Sequence, residues 1–387
     1  MAKPKLLYAS PFPPMQSGIS DYSVALVHAL SEKFDITLYT DDYMIQEDSL
    51  MGFPVLKHGI DKIDFDAFEY RIYNIGNSIE FHSYIYEMCM EHPGMIILHD
   101  MVIYFLFMEY YRRQDKMYSK LYQEAGIEKF LEIRDMMIDR KTDLEVISRI
   151  PMNEELLRTD NKFMVHSWYT YNNVIASGFI SKDRIRKINL ISPSPKLGQE
   201  IEREELFRKF NVPEDALIIT SFGHIVATKL NSQTCQAIKK IAERNTRKIC
   251  YVMVGGGTAA DEYLEDEFII KTGYTELDEF RAFMDYSDLI INMRYPSMGE
   301  TSAAMLQILQ KGKPCITNNG GWFSELPEEC VCKVELDDIV GNLEKVIENF
   351  VNNTEERINL GNRAKEYFDR EYNSDVIAQN IFEFLTD

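Results

Sequence analysis

Eight short apolar runs, each closed by a small or polar residue, constrain the fold of this chain more than any other feature. The early ones are LLYAS (6–10), RIYNIGN (71–77), MIILHD (95–100) and FMVHS (163–167). The later ones are ALIITSFGH (216–224), ICYVMVGGG (249–257), DLIINMRYP (288–296) and KPCITNNGG (313–321). Apolar runs without alternation fit strands covered on both faces. Helix-like stretches such as SDYSVALVHALSEKF (20–34) and SQTCQAIKKIAERN (232–245) lie between them. Strand and helix in alternation predict the α/β class with parallel sheets. In such sheets ligands sit beyond the carboxyl ends of the strands. Ser10, Asn77, His99, His166, Gly223, Gly255 and Arg294 fall there.

The two series part at ISPSPKLGQEIEREELFRKF, where Ser192-Pro193-Ser194-Pro195 is a stiff, non-helical connection before a charged helix. The predicted organisation is an N-terminal domain over 1–195, a C-terminal domain over 196–370, and a last helix over 371–387 free to pack back on the first domain. A length of 387 residues suits two or three domains. Two nucleotide-type halves facing each other imply a cleft, a common place for two-substrate chemistry.

The formal charge of -20 argues against nucleic acid as a partner, yet leaves room for a small basic site holding a phosphorylated metabolite. The six cysteines are scattered, with no CxxC or Cys/His zinc spacing, which fits buried thiols in a reducing compartment. The apolar run near the N-terminus is too short for a signal peptide. MIILHDMVIYFLFMEYY is broken by His99-Asp100 and Glu109, and falls short of the ~18 apolar residues of a membrane span. The expected location is cytoplasmic. The run MEYYRRQDKMYSKLY, with Tyr110, Tyr111, Arg112, Arg113, Lys116 and Lys120, leaves open a peripheral contact with the inner membrane face. It reads equally as a solvated helix with aromatic packing behind it.

Candidate chemistry collects in a few loops. In SPFPPMQSGISDYS three prolines stiffen the approach, Gly18 lets backbone come close to a ligand, and Ser20 can cap the next helix. Neither GxGxxG nor a P-loop is present, so no nicotinamide or ATP site is signalled. His99 follows the apolar strand MIIL, and His166 in VHSW has a similar placement; neither joins a triad. FGHIVATKLN puts His224 and Lys229 on a loop before a helix, where a lysine suits a diphosphate. YPSMGETSAAMLQ sets Glu300 before a small-residue helix start. That acid is either a favourable first-turn residue or a group that reaches a hydroxyl-rich ligand beside a phosphate.

Taken together, PFPPMQSGISDYS, FGHIVATKL, TGYTELDEFRAFMDYSDLIINMRYPSMGETSAAML and GKPCITNNGGWFSELP resemble the GT-B fold glycosyltransferases of family 4, over nearly the whole chain. That family is retaining and uses nucleotide sugars. The resemblance implies two Rossmann-like domains and transfer of a sugar from a nucleoside diphosphate sugar to a hydroxyl. It implies neither metal nor bound cofactor. In it Gly18 lies near the diphosphate or acceptor, His99 contacts the transferring sugar, and Lys229 binds the diphosphate. Gly273, Tyr274 and Thr275 lie near the nucleobase, Glu300 holds sugar hydroxyls, and Thr301, Ser302 and Ala303 present helix-start N–H groups. Ser17, Asn77 and His82 fall in the acceptor half. The acceptor is a glycan, a lipid-linked molecule or a protein; the oligomeric state stays unspecified.

Two departures from the family pattern stand out. The second glutamate's position, eight residues after Glu300, is Ile308; aligning back from Gly312-Lys313-Pro314 gives Gln307 and a one-residue deletion. His224 stands where the family has Arg, so an always-charged clamp is lost and more of the work falls to Lys229. A noncatalytic partner subunit or scaffold that kept the fold is the alternative reading; an epimerase or phosphorylase of similar build is a third.

Overall fold

The computed structural model describes residues 2–192 and 200–387, and the chain divides into two compact units. Unit one holds the described residues up to 192 together with Met298–Thr301 and Tyr372–Asp387; unit two holds those from 200 to 297 and Ser302–Glu371. The domain boundary expected at 195/196 lies outside the described residues.

Unit one is built on seven parallel strands: β1 (Lys5–Ala9), β2 (Asp35–Thr40), β3 (Val55–Lys57), β4 (Tyr70–Ile75), β5 (Met95–Leu98), β6 (Lys162–Val165) and β7 (Ile185–Lys187). Their order is β3-β2-β1-β4-β5-β6-β7. Unit two repeats the plan with six: β8 (Leu217–Phe222), β9 (Ile249–Val254), β10 (Ile269–Lys271), β11 (Leu289–Ile291), β12 (Cys315–Asn318) and β13 (Cys332–Val334). They run β10-β9-β8-β11-β12-β13, all parallel. Each sheet reverses its winding once, at β1/β4 and at β8/β11. Connections leave such a pair in opposite directions and open a crevice at the carboxyl ends.

All eight apolar runs are strands. The central ones, MIIL in β5 and LIITSF in β8, are buried along their whole length, because helices cover both faces. The strands that carry no such run are β2 and the edge or near-edge strands β3, β7, β10 and β13, of three residues each. Among the described residues no helix is long and apolar enough to cross a membrane.

The helix Ser374–Thr386 belongs to unit one, where Lys33 Nζ donates to Gln379 Oε1 at 2.6 Å and the Phe34 and Phe382 rings lie 5.2 Å apart. In unit two the helix Thr354–Glu371 crosses the end of Ala303–Gln310 at two glycines. A Cβ on Gly361 would lie 2.1 Å from the Gly312 carbonyl oxygen, so this crossing tolerates no side chain. Gly361→Ala is therefore expected to destabilise unit two by about 1–3 kcal/mol through overpacking against backbone. Urea unfolding checks this; an unshifted midpoint would mean the two helices separate freely.

Candidate functional site

At the carboxyl ends of β1, β4, β5 and β6, unit one gathers neutral polar groups around one buried amide, Asn74. Its Nδ2 donates to the Ala9 carbonyl at 3.2 Å, which leaves Oδ1 to accept from His99 Nε2 at 2.9 Å. The Asn74 carbonyl accepts from His82 Nδ1 at 3.0 Å. The Tyr22 ring meets His99 edge-on at 4.8 Å and His166 at 5.4 Å, and the two imidazoles are 5.3 Å apart. His166 Nδ1 donates to the Ile188 carbonyl at 3.0 Å; its Nε2 and the Tyr22 hydroxyl are buried without a partner. Sequence reasoning passed over Asn74. A polar residue inside the apolar run RIYNIGN was the available signal.

The acceptor candidates divide. Ser17 caps the helix Gly18–Ser31, its Oγ accepting from Ile19 N at 3.2 Å, and Gly18 beside it has open space where a side chain would stand. Asn77 is a structural cap: its Oδ1 accepts from Phe105 N at 2.8 Å and Leu106 N at 3.3 Å. His82 is buried against Asn74. In both residues one polar atom of the side chain, Asn77 Oδ1 and His82 Nδ1, is engaged by the fold. In the basic run after Glu109, Arg112 and Arg113 pair with Glu109, and Lys120 with Glu155.

Burial pushes His82 and His166 down to about 4 and His99 well below the ordinary imidazole range, with His166 and His82 adding to the depression of His99. All three rings are neutral at pH 7. A histidine whose folded pKa lies below its unfolded value leaves stability intact above ~6.5 and removes it as pH falls towards the folded pKa. We expect unfolding free energy to drop between pH 6.5 and 4, by on the order of 3 kcal/mol for each of His82 and His166, with His99 acting in the same direction. A stability profile that stays flat across this window would show the rings to be solvated in the folded protein.

Unit two answers with charge. Beyond β8 the chain turns at Gly223, and Lys229 Nζ comes back to donate to the Phe222 carbonyl at 2.5 Å. A Cβ on Gly223, whose φ is +84°, would lie 2.7 Å from that ammonium, and one on Gly255 would lie 2.3 Å from the Gly223 carbonyl. The glycines are what allow backbone and ammonium to share this space. The exit of β11 bonds to the same loop: Arg294 Nη1 donates to Thr228 Oγ1 at 2.9 Å and Tyr295 N to the Thr228 carbonyl at 2.7 Å. One step earlier, Asn292 Nδ2 donates to Ser302 Oγ at 3.2 Å. Ser302 in turn caps the helix Ala303–Gln310 by accepting from Met305 N at 3.2 Å. Asn318, at the end of β12, accepts from Arg294 N at 2.7 Å, and its Nδ2 is buried without a partner; so is Asn231 Nδ2 two residues after Lys229.

Other expected positions fall as follows. Glu300 lies in the segment Met298–Thr301 that groups with unit one, and Oε2 accepts from Met298 N at 2.6 Å. There Gly299 O accepts from Thr170 Oγ1 at 2.8 Å. Since the helix starts at Ala303, neither Glu300 nor Thr301 stands in its first turn, and the simple first-turn reading of the acid does not hold. Ile308 is fully buried and Gln307 half-buried, so Gln307 is the residue on the open side. His224 is exposed, as is Tyr274 at 71 %, between Gly273 and the buried Thr275.

No protein-family model matches this chain, and no curated protein matches it by sequence. Solved structures do match along its full length. HepE from Anabaena, crystallised with UDP and glucose, is 11% identical with a TM-score of 0.64, and the match covers 99% of each chain. WaaG, a glycosyltransferase involved in lipopolysaccharide biosynthesis, is 12% identical with a TM-score of 0.63, covering 98% of this chain and 99% of that one. Sucrose-phosphate synthase from Thermosynechococcus elongatus is 14% identical with a TM-score of 0.65 and 98% coverage of both. The chain has the GT-B fold. At these identities the likeness fixes architecture, and the chemistry has to come from the residues.

Burial, with Arg294 nearby, lowers Lys229 to about 7. Its folded value lies below the ordinary ~10.5, so stability tied to this group is lost as pH falls from there towards 7. Lys229→Met should therefore raise the thermal midpoint near neutral pH. A lower midpoint than the parent's would make the ammonium a structural donor to Phe222.

Proposed function

We propose that this protein is a glycosyltransferase that moves a sugar from a nucleoside diphosphate sugar to a hydroxyl acceptor with retention of anomeric configuration. The observation that carries this reading is the donor-rich end of β8 and β11 in unit two. Lys229, the amide start of the helix capped by Ser302, and the unpartnered amide of Asn318 suit an anion with many acceptor oxygens. Two of the structural neighbours add weight: HepE was crystallised with UDP and glucose, and WaaG is a glycosyltransferase.

In this reading the glycosidic C–O bond breaks with its electron pair passing to the leaving phosphate oxygen. Lys229 and the amides of Ser302 and Ala303 stabilise the charge that builds there. The acceptor hydroxyl attacks the same face of the sugar, and its proton passes to the departing phosphate. Positive potential comes from ammonium and helix start, so the reading calls for no divalent metal. Glu300 and His99 hold sugar hydroxyls, and Gly18 leaves space for backbone contact. Tyr274, exposed after Gly273, offers a ring face to the base. Gln307 hydrogen-bonds ribose hydroxyls, and Thr301 and Thr275 flank the donor. Retention of these groups favours an enzyme over a scaffold.

Incubation with a panel of nucleoside diphosphate sugars, reading free nucleotide and the anomeric configuration of the product, tests the reaction. Glu300→Ala is expected to lose about 2–4 kcal/mol of transition-state stabilisation, roughly 30- to 900-fold in rate. Transfer at the parent rate would remove Glu300 from the mechanism.

A further inference from the structure

We infer that Arg294, rather than His224, is the cation that acts with Lys229 on the pyrophosphate of the donor. This rests on the donor reading above and extends it to a residue to which the family resemblance assigns no role. β8 and β11 are hydrogen-bonded neighbours at the winding reversal of the sheet, so their exits rise side by side. The Arg294 guanidinium donates to Thr228, the residue immediately before Lys229, and the Tyr295 amide holds the same residue's carbonyl. The two cations are close enough for Arg294 to depress the lysine. The arginine backbone is fixed in turn by Asn318, whose own Nδ2 is a buried donor in want of an acceptor.

Chemistry favours the same assignment. A guanidinium keeps its charge and presents several N–H groups in a rigid plane, which matches phosphate oxygens in pairs. Thr228 uses one of those N–H groups and so sets the plane of the fork. His224 stands exposed on the preceding turn, and an imidazole lacks the planar fork of N–H groups that a guanidinium presents. A permanently charged group absent at position 224 is thus supplied from the exit of β11, which pairs with β8 in space and lies far from it in sequence.

Calorimetry on the full chain with UDP, GDP and ADP provides the test. Arg294→Ala should weaken the best-bound diphosphate on the order of 10- to 100-fold, and by more than His224→Ala does. Arg294→Lys should recover part of the loss. If Arg294→Ala folds poorly, Arg294→Gln decides. It removes the charge at similar size, so Kd should rise less steeply with added salt than the parent's does, and an unchanged salt dependence would overturn this inference. Binding that survives Arg294→Ala and collapses in His224→Ala overturns this inference and leaves the donor reading standing. Failure of the parent protein to bind any of the three diphosphates removes the donor reading, and this inference with it.

Discussion

Two positive side chains held together at the end of one strand pair form a costly arrangement, and much of unit two is organised around it. Lys229 loses solvation by turning back onto the Phe222 carbonyl, and Arg294 repels it further. The glycines at 223 and 255 are required because any Cβ would strike the ammonium or the facing carbonyl. A charged group kept at the expense of stability, in the crevice of a parallel sheet, marks a candidate functional site. An anion would restore charge balance and lift the lysine back towards its ordinary pKa.

Unit one reaches order by the opposite route, with polar groups that carry no charge at neutral pH. Asn74 ties β4 to β1 and orients two imidazoles, using both ends of its side chain and its own carbonyl. Unit two uses asparagine in the same way. Asn292 reaches the cap of the helix that follows, and Asn318 holds the backbone of Arg294. An amide both donates and accepts, so one buried side chain at a strand exit can fix two neighbours without importing charge. The neutral rings of unit one suit hydroxyl groups, whereas the ends of β8 and β11 suit phosphate.

How much of this could be read from the sequence follows from where each signal lies. The long apolar runs announced the central strands because burial on two faces leaves few polar positions. The three-residue strands β3, β7, β10 and β13 bury too little to leave such a mark. Lys229 and the glycine turns were legible because a loop before a helix has a local grammar. The partners were not: Arg294 meets Thr228 across 66 residues of chain. Asn77 and His82 were visible as polar residues in the right half, yet their hydrogen bonds go to a helix start and a strand carbonyl. Polarity can be read from a sequence; whether a polar atom is already taken cannot.

The register of one helix resolves the departure around Glu300. Successive residues on a helix turn by about 100°, so Gln307 and Ile308 cannot share a face. Ile308 lies in the core and Gln307 towards the open side. The seven-residue spacing from Glu300 therefore presents an amide on the accessible side, where the eight-residue spacing meets a buried isoleucine. An amide in place of a carboxylate takes a negative charge away from the helix whose cap is bonded to Asn292, one residue beyond β11. Less local negative charge leaves the field of Lys229 and Arg294 less opposed. In the proposed reading, a neutral Gln307 and Arg294 at the exit of β11 act in the same direction on a bound phosphate.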